Sequence, residues 1–304
     1  MPRRVLPALR RDVPLVVAGA TSGSARLRPE TAGPSPSAVG RWFTGRMPPS
    51  ADRPVLLVRR PSPRLADGEL THLDRRPVDV DLARRQWQDY VDVFAARGWD
   101  VREVDASDEH PDGVFVEDTV VVLGSTALLT APGVASRRGE AAGTERALDG
   151  LGLALERVAA PGTLEGGDVL EVGDTVYVGR GTRTDDDGVA QLAAVAEREG
   201  RRVVVVPVTR ALHLKTAVTA LPDGTVIGHR DLVDDPAMFD AYLEVPEREG
   251  TAVVVLDERT VLLSPSAPRT AALLRDRGLD VVTTPVSEFE KLEGCVTCLS
   301  VRIR

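Results

Sequence analysis

Residues 168–179 read DVLEVGDTVYVG, two short runs rich in β-branched side chains that meet at Gly173-Asp174. Such runs separated by a two-residue Gly-Asp link predict a β-hairpin, because the link accepts the backbone twist that a tight turn needs. The pattern recurs three times, in DTVVVLGSTALLT (118–130, turning at Gly124-Ser125), AVTALPDGTVIG (217–228, at Pro222-Asp223-Gly224) and AVVVLDERTVLLS (252–264, at Asp257-Glu258). Helix-like segments are expected after these hairpins at 137–151, 185–199 and 267–277, with a short, weakly patterned one at 236–243. Extended runs at 153–158, 202–208 and 280–286 complete three of the units. Near the other end, CLSVRI (298–303) begins a fifth hairpin that lacks its second strand, and VLLVR (55–59) can supply it. A helix over 78–98 follows, carrying Leu82, Trp87, Tyr90, Val91 and Phe94 near one face and stopped by Gly98, and 99–104 returns as a strand. The expected fold is therefore α/β, a ring of about five ββαβ units.

Composition narrows the function classes. Eight arginines against Asp12 and Glu30 put residues 1–46 at +6, so residues 47–304 carry −14 of a chain whose net charge is −8. A body that acidic repels nucleic acid and suits a small cationic molecule. No apolar run approaches the ~20 residues that cross a bilayer, so no membrane role is expected. Two cysteines cannot build a disulfide scaffold, and a reducing cytoplasm is the expected compartment. Residues 1–50 are rich in Arg, Pro, Ser and Gly and lack periodicity, so they are read as a disordered or spurious tail before a single domain at 51–304. RRDVPLVVAGATSGSA has some likeness to a twin-arginine export signal, but its apolar stretch is short and broken by Pro14.

The repeat also places chemistry. Asp118 precedes the first hairpin, Glu165 and Asp168 open the second, His213 lies just before the third, and Cys298 opens the fifth. Corresponding ends of units in a ring meet at its middle, so these residues converge on one pocket. Glu117 and Asp118 end the apolar run PDGVFVED, where carboxylates are costly unless they hold a cation. In LEGGDVL, Gly166-Gly167 permits a tight turn that lets Glu165 and Asp168 project differently. His213 sits between two leucines, whereas His72 and His110 lie in polar stretches and His229 in GHRD reads as a turn residue.

Cys295 and Cys298 form a C-x-x-C that allows three readings. A structural zinc site needs four N or S ligands, and no histidines cluster near the pair. A redox couple of the thioredoxin kind sits at a helix N-terminus, whereas the surroundings here, Val296-Thr297 and Leu299-Ser300-Val301, look strand-like. The third reading is a single nucleophile, with Cys298 pointing inward because it begins the hairpin strand, and Cys295 in the loop beside Gly294. A thiolate is strong enough to attack a carbon as poorly electrophilic as that of a guanidinium.

In order, PDGVFVED, TAPGVASRRGE, LEGGDVL, VGRGTRT, LHLK and LEGCVTCLSVRI resemble the dimethylarginine dimethylaminohydrolase family of the guanidine-modifying pentein superfamily. The resemblance runs from about Pro54 to Arg304. It implies a five-fold pseudosymmetric α/β propeller that hydrolyses N-methylated arginine to citrulline and an alkylamine without cofactor or metal. It implies Cys298 as nucleophile, His213 as general acid and base, and Glu165 as the carboxylate orienting both substrate and histidine. Asp118 would hold the guanidinium with Glu117 in support, Asp112 the α-ammonium, and Arg137 with Arg183 the α-carboxylate. Leu70 falls where the family carries a lid, and Leu299 where some relatives carry a second cysteine. A homodimer is left open. Two alternatives stand beside this reading: an arginine deiminase or other guanidine hydrolase of the same superfamily, and a non-catalytic pentein binding scaffold.

Overall fold

The computed structural model describes residues 53–304, so the tail expected at 1–50 lies outside the described residues. The chain opens with β1 (Val55–Val58), α1 (Val80–Ala95) and β2 (Asp100–Glu103). Next come β3 (Val120–Leu123), β4 (Thr126–Leu129), α2 (Ala141–Ala147) and β5 (Ala154–Arg157). A second such unit holds β6 (Val169–Val172), β7 (Thr175–Arg180), α3 (Asp186–Arg198) and β8 (Arg202–Pro207). The third holds a single helical turn α4 (Leu214–Ala217) with β9 (Val218–Ala220), β10 (Val226–Gly228) and β11 (Tyr242–Glu244). The fourth holds β12 (Val254–Val255), β13 (Thr260–Leu263), α5 (Pro268–Asp276) and β14 (Asp280–Thr283), and β15 (Val301–Ile303) ends the chain.

These strands form five three-stranded sheets. In every sheet the second hairpin strand is central, antiparallel to the first and parallel to the third. The fifth sheet is the closure read from the sequence: β15 pairs antiparallel with β1 in the register Val55↔Ile303, and β2 lies parallel on the other side. The architecture is a pseudo-fivefold α/β propeller.

Local chemistry explains the helices. Asp79 caps α1 by accepting from the backbone of Leu82 at 2.9 Å, and Asp185 caps α3 by accepting from Gly188 at 2.8 Å. Gly98 after α1 and Gly200 after α3 take positive φ values of 78° and 71°, the left-handed conformation that ends a helix. The inner face of α1 is buried at Ala83, Gln86, Tyr90, Val91 and Phe94, whereas Leu82 and Trp87 are only half-buried. Phe94 lies against both Tyr90 and Trp99, with ring centroids 5.0 and 5.3 Å away. Burial of each such ring contributes about 1.5–3 kcal/mol.

Two expectations need correction. The segment expected to be helical at 236–243 is a 3-10 turn, Pro236–Met238, followed by β11. Asp235 caps the turn through the Ala237 amide, and Tyr242–Glu244 find strand partners in β10, so pairing outweighs a weak helical pattern. Cys298 does not begin a strand either. It lies in a turn over 296–299, closed by the Cys298 amide on the Cys295 carbonyl at 3.2 Å, and β15 starts three residues later.

Candidate active site

The turn at Cys298 belongs to a pattern of the whole ring. One short turn directly precedes or nearly precedes the first strand of every unit: Val116–Thr119, Gly166–Asp168, Leu214–Ala217, Arg248–Thr251 and the turn over 296–299. Asp118 sits within the first, Glu165 and His213 immediately precede the second and third, and Cys298 sits within the last. The fourth is preceded by Glu247, whose carboxylate is taken up by the amides of Arg269 and Thr270. Four units therefore supply the site and the fourth in sequence supplies framework.

His213 Nε2 is 2.6 Å from Glu165 Oε2, and its Nδ1 is 4.0 Å from Asp118 Oδ1. All three side chains are buried. Burial pulls the imidazole pKa down, but the negative charges of Asp118, Glu165 and Asp168 outweigh it and raise it from 6.5 to about 9. Glu165 responds in the opposite sense: burial pushes its carboxyl up, while the bond to His213 and the charges of His213, Arg137 and Arg183 bring it to about 2. The pair is an imidazolium held on a carboxylate. For Cys298, the contact with Cys295, burial, and the charges of Glu117 and Asp118 all push the thiol up.

Glycine lets these groups meet. A Cβ on Gly167 would lie 2.7 Å from both Asp118 Oδ1 and His213 Nδ1, and one on Gly166 would lie 2.0 Å from the Glu117 carbonyl. Neither glycine has a positive φ, so close approach rather than an unusual turn explains the pair. The Gly167 amide also donates to Asp118 Oδ1 at 2.9 Å. Asp168 projects behind the histidine, accepting from the Leu214 amide at 2.9 Å and the Thr184 hydroxyl at 2.6 Å. Burial raises its carboxyl to about 6.

One cavity gathers Asp112, Asp118, Arg137, Arg183, His213 and Cys298. A larger cavity shares Leu212, Glu293 and Gly294 with it but contains none of the reactive groups. Three expected residues behave differently from expectation. Arg137 is already engaged: Nη1 donates to Asp118 Oδ2 at 2.9 Å, and Nε and Nη2 grip Glu140 at 3.1 and 2.8 Å. The expected division, Asp118 for a substrate cation and Arg137 for a carboxylate, is therefore replaced by a direct ion pair between the two. Leu70 packs on the apolar cluster that includes Phe115 and Leu292, and its neighbour Glu69 lines the cavity instead. Glu117 lies outside the cavity, accepting from Lys215 Nζ and Arg302 Nη2, both at 2.7 Å.

Asp118, Glu165 and His213 have ligand atoms within 4.8 Å of one another, the one such group among the described residues.

Sequence reasoning missed several partners. Arg302 ties the Cys298 turn down by donating to the Thr297 and Ser300 carbonyls at 3.0 Å, and Ser300 Oγ lies 2.7 Å from Tyr90 Oη. The alternation in VRIR, which turns Arg302 to the opposite face from Val301, was the available signal. Glu140, three residues after Arg137, is another such partner.

The chain is similar to several known proteins. A family model described as arginine deiminase matches residues 154–264. The N(G),N(G)-dimethylarginine dimethylaminohydrolase of Streptomyces coelicolor is 58% identical over 248 residues, 82% of this chain and 96% of that protein. A solved structure of dimethylarginine dimethylaminohydrolase (DDAH), a histidine-to-glycine variant as its adduct with S-methyl-L-thiocitrulline, matches with a TM-score of 0.76 at 32% identity, over 82% of this chain and 98% of that one. A cysteine-to-serine variant of DDAH from Pseudomonas aeruginosa, complexed with citrulline, matches at TM-score 0.76 and 32% identity, again over 82% and 98%.

Proposed function

Because the chain belongs to the dimethylarginine dimethylaminohydrolase family, we propose that it hydrolyses N-methylated arginine to citrulline and an alkylamine, with Cys298, His213 and Glu165 carrying the reaction. The observation that bears most weight is the buried His213–Glu165 pair, 2.6 Å apart, in the group that includes Asp118 and shares a cavity with Cys298.

The chemistry follows from the charges. A guanidinium entering beside Asp118 and Glu165 brings a positive charge next to a thiol whose surroundings otherwise keep it protonated, and so favours the thiolate, the thiol proton leaving to solvent because His213 is already protonated. The thiolate attacks the guanidinium carbon, forming a C–S bond. His213, already an imidazolium, gives its proton to the departing alkylamine as the C–N bond breaks, leaving a covalent thiouronium. The neutral histidine then takes a proton from water, whose oxygen attacks the same carbon, and collapse expels the sulfur and releases citrulline. Glu165 holds the imidazole in one orientation through both proton transfers. Asp112 and Arg183 serve the substrate's ammonium and carboxylate. Arg137 contributes by releasing Asp118 as the substrate cation takes its place. Residues 51–304 form the catalytic body in this reading, and a free thiol suits a reducing cytoplasm.

A second reading, deimination of free arginine, is favoured by the arginine deiminase family model over 154–264. Incubating the protein with arginine, monomethylarginine and asymmetric dimethylarginine, and measuring citrulline together with ammonia or alkylamine, separates the two. Citrulline and ammonia from arginine, with methylated forms poor, would make the second reading the correct one. No citrulline from any of the three would leave the scaffold alternative.

A further inference from the structure

Between the short turn Leu65–Asp67 and the start of α1, the chain runs as a strap without regular secondary structure, exposed from Thr71 to Pro77, with Glu69 lining the reactive cavity and His72 and Leu73 the larger one beside it. Its fastening is concentrated on one side chain. Glu293 Oε1 accepts the backbone amides of three successive residues: Thr71 at 3.1 Å, Leu73 at 2.8 Å, and His72 between them. Consecutive amides converging on one oxygen make an anion nest, and a carboxylate is its natural occupant.

Glu293 is unusual in its own backbone. Its φ of 60° is the one positive value among the described non-glycine residues. Gly294 follows, where a Cβ would meet the Phe115 ring at 2.3 Å. A left-handed glutamate pressed against a crowded glycine holds its conformation only when the surroundings fix it, and such outliers gather where position matters. Two further ties of the strap end on the cavity wall, beside others from Ser136 to Glu69, from Arg75 to the Ala66 and Gly68 carbonyls and from Lys291 to the Pro77 carbonyl. The Glu69 amide donates to Asp112 Oδ2 at 3.0 Å, and Arg183 Nη2 donates to Thr71 Oγ1 at 3.2 Å.

We propose that Glu293 is a positioning residue for the reaction: by clasping the amides of residues 71–73 it fastens the strap against Asp112 and Arg183 and so fixes the end of the cavity that receives the amino-acid head of the substrate. This rests on the functional reading above for what the cavity binds. The clasp joins the strap to the segment that ends in the nucleophile, five residues beyond Glu293.

Two variants separate the clasp from the backbone strain. Glu293→Gly removes the carboxylate and keeps the left-handed backbone at no steric cost. Glu293→Gln keeps an acceptor oxygen at the same reach. Amide hydrogen exchange of Thr71, His72 and Leu73 is the first readout. It should accelerate by roughly tenfold or more in Glu293→Gly, since three hydrogen bonds to a charged group are lost, while α1 keeps its protection, and Glu293→Gln should recover most of the slow exchange. The second readout is steady-state kinetics with methylated arginine. KM should rise by about tenfold in Glu293→Gly with a much smaller change in kcat, because the head is held less well and the reacting groups are unmoved. A methylated alkylguanidine lacking the amino-acid head should show no such difference between Glu293→Gly and the parent protein. Unchanged exchange at residues 71–73 in Glu293→Gly would overturn the clasp, and so would a loss confined to kcat. If the parent protein turns over no methylated arginine, the exchange measurement still decides the clasp while the functional reading fails alone.

Discussion

The sulfur atoms of Cys295 and Cys298 lie 3.2 Å apart, within hydrogen-bond reach of each other, and Cys295 Sγ is also 3.2 Å from Thr297 Oγ1. Contact does not make the two equivalent. Cys298 lines the cavity with His213, whereas Cys295 lines the larger cavity beside it. Cys298→Ser should lower kcat by roughly 10³-fold or more, because an alkoxide is far harder to form than a thiolate. Cys295→Ala should leave kcat within a few-fold. Equal losses in the two variants, or turnover that requires a thiol reductant in each cycle, would show a redox pair.

The titration of the site predicts a stability profile. His213 is raised from 6.5 to about 9, so its contribution is complete below pH 6.5 and is lost as pH rises through 9. Glu165 is lowered from 4.5 to about 2, so its contribution is complete above pH 4.5 and is lost as pH falls towards 2. Asp168, raised from 3.8 to about 6, favours the folded state most when neutral and loses that advantage as pH rises through 6. Melting temperature measured from pH 6.5 to 9 should fall in the parent protein, and that slope should flatten in His213→Asn. An undiminished slope in the variant would mean that another group titrates.

Gly167→Ala tests close approach directly. The added methyl group would sit 2.7 Å from both Asp118 Oδ1 and His213 Nδ1, so one of them must move. Displacement of a reacting group by an ångström costs about 10²-fold in rate. Such a loss of kcat should appear while the melting temperature moves far less than after a core truncation. Retained kcat would show that the two groups need not be so near.

Lys215 bears on substrate choice. Its ammonium is held on Glu117, away from the cavity, so no acid occupies the position two residues after the histidine to meet an unsubstituted terminal nitrogen. A dimethylated nitrogen has no N–H to offer, and a carboxylate facing it would be left unpaired at about 1–3 kcal/mol. The expected order of kcat/KM is mono- or asymmetric dimethylarginine above arginine. Lys215→Met should preserve that order and lower stability by about 1–3 kcal/mol, since Glu117 keeps only Arg302. Reversal of the order in the parent protein would remove the argument.

The hairpins were legible because Gly124-Ser125 and Gly173-Asp174 punctuate runs of period two, and closure by VLLVR was legible because CLSVRI lacked a partner. The convergence of Asp118, Glu165 and His213 followed from the repeat alone. The turns that carry them did not, since three or four residues contain too little periodicity to read. Arg137 was expected to await a ligand and instead grips Asp118 and Glu140, because pairing among charges is decided by side-chain geometry that spacing does not encode. The grip of Glu293 on residues 71–73 was hidden for a similar reason, as its partners are backbone amides that carry no residue signature.

The pairing of β1 with β15 also bears on how the protein comes to be active. Val55 meets Ile303, which brings together segments from the two ends of the described chain, and the nucleophile stands three residues before β15. Contacts between such distant segments carry the largest loop-closure cost and form late. The four other sheets are built from nearer neighbours and can form beforehand. On refolding from denaturant, backbone circular dichroism should therefore recover ahead of hydrolytic activity, and the lag should lengthen when Val55 or Val301 is truncated to alanine.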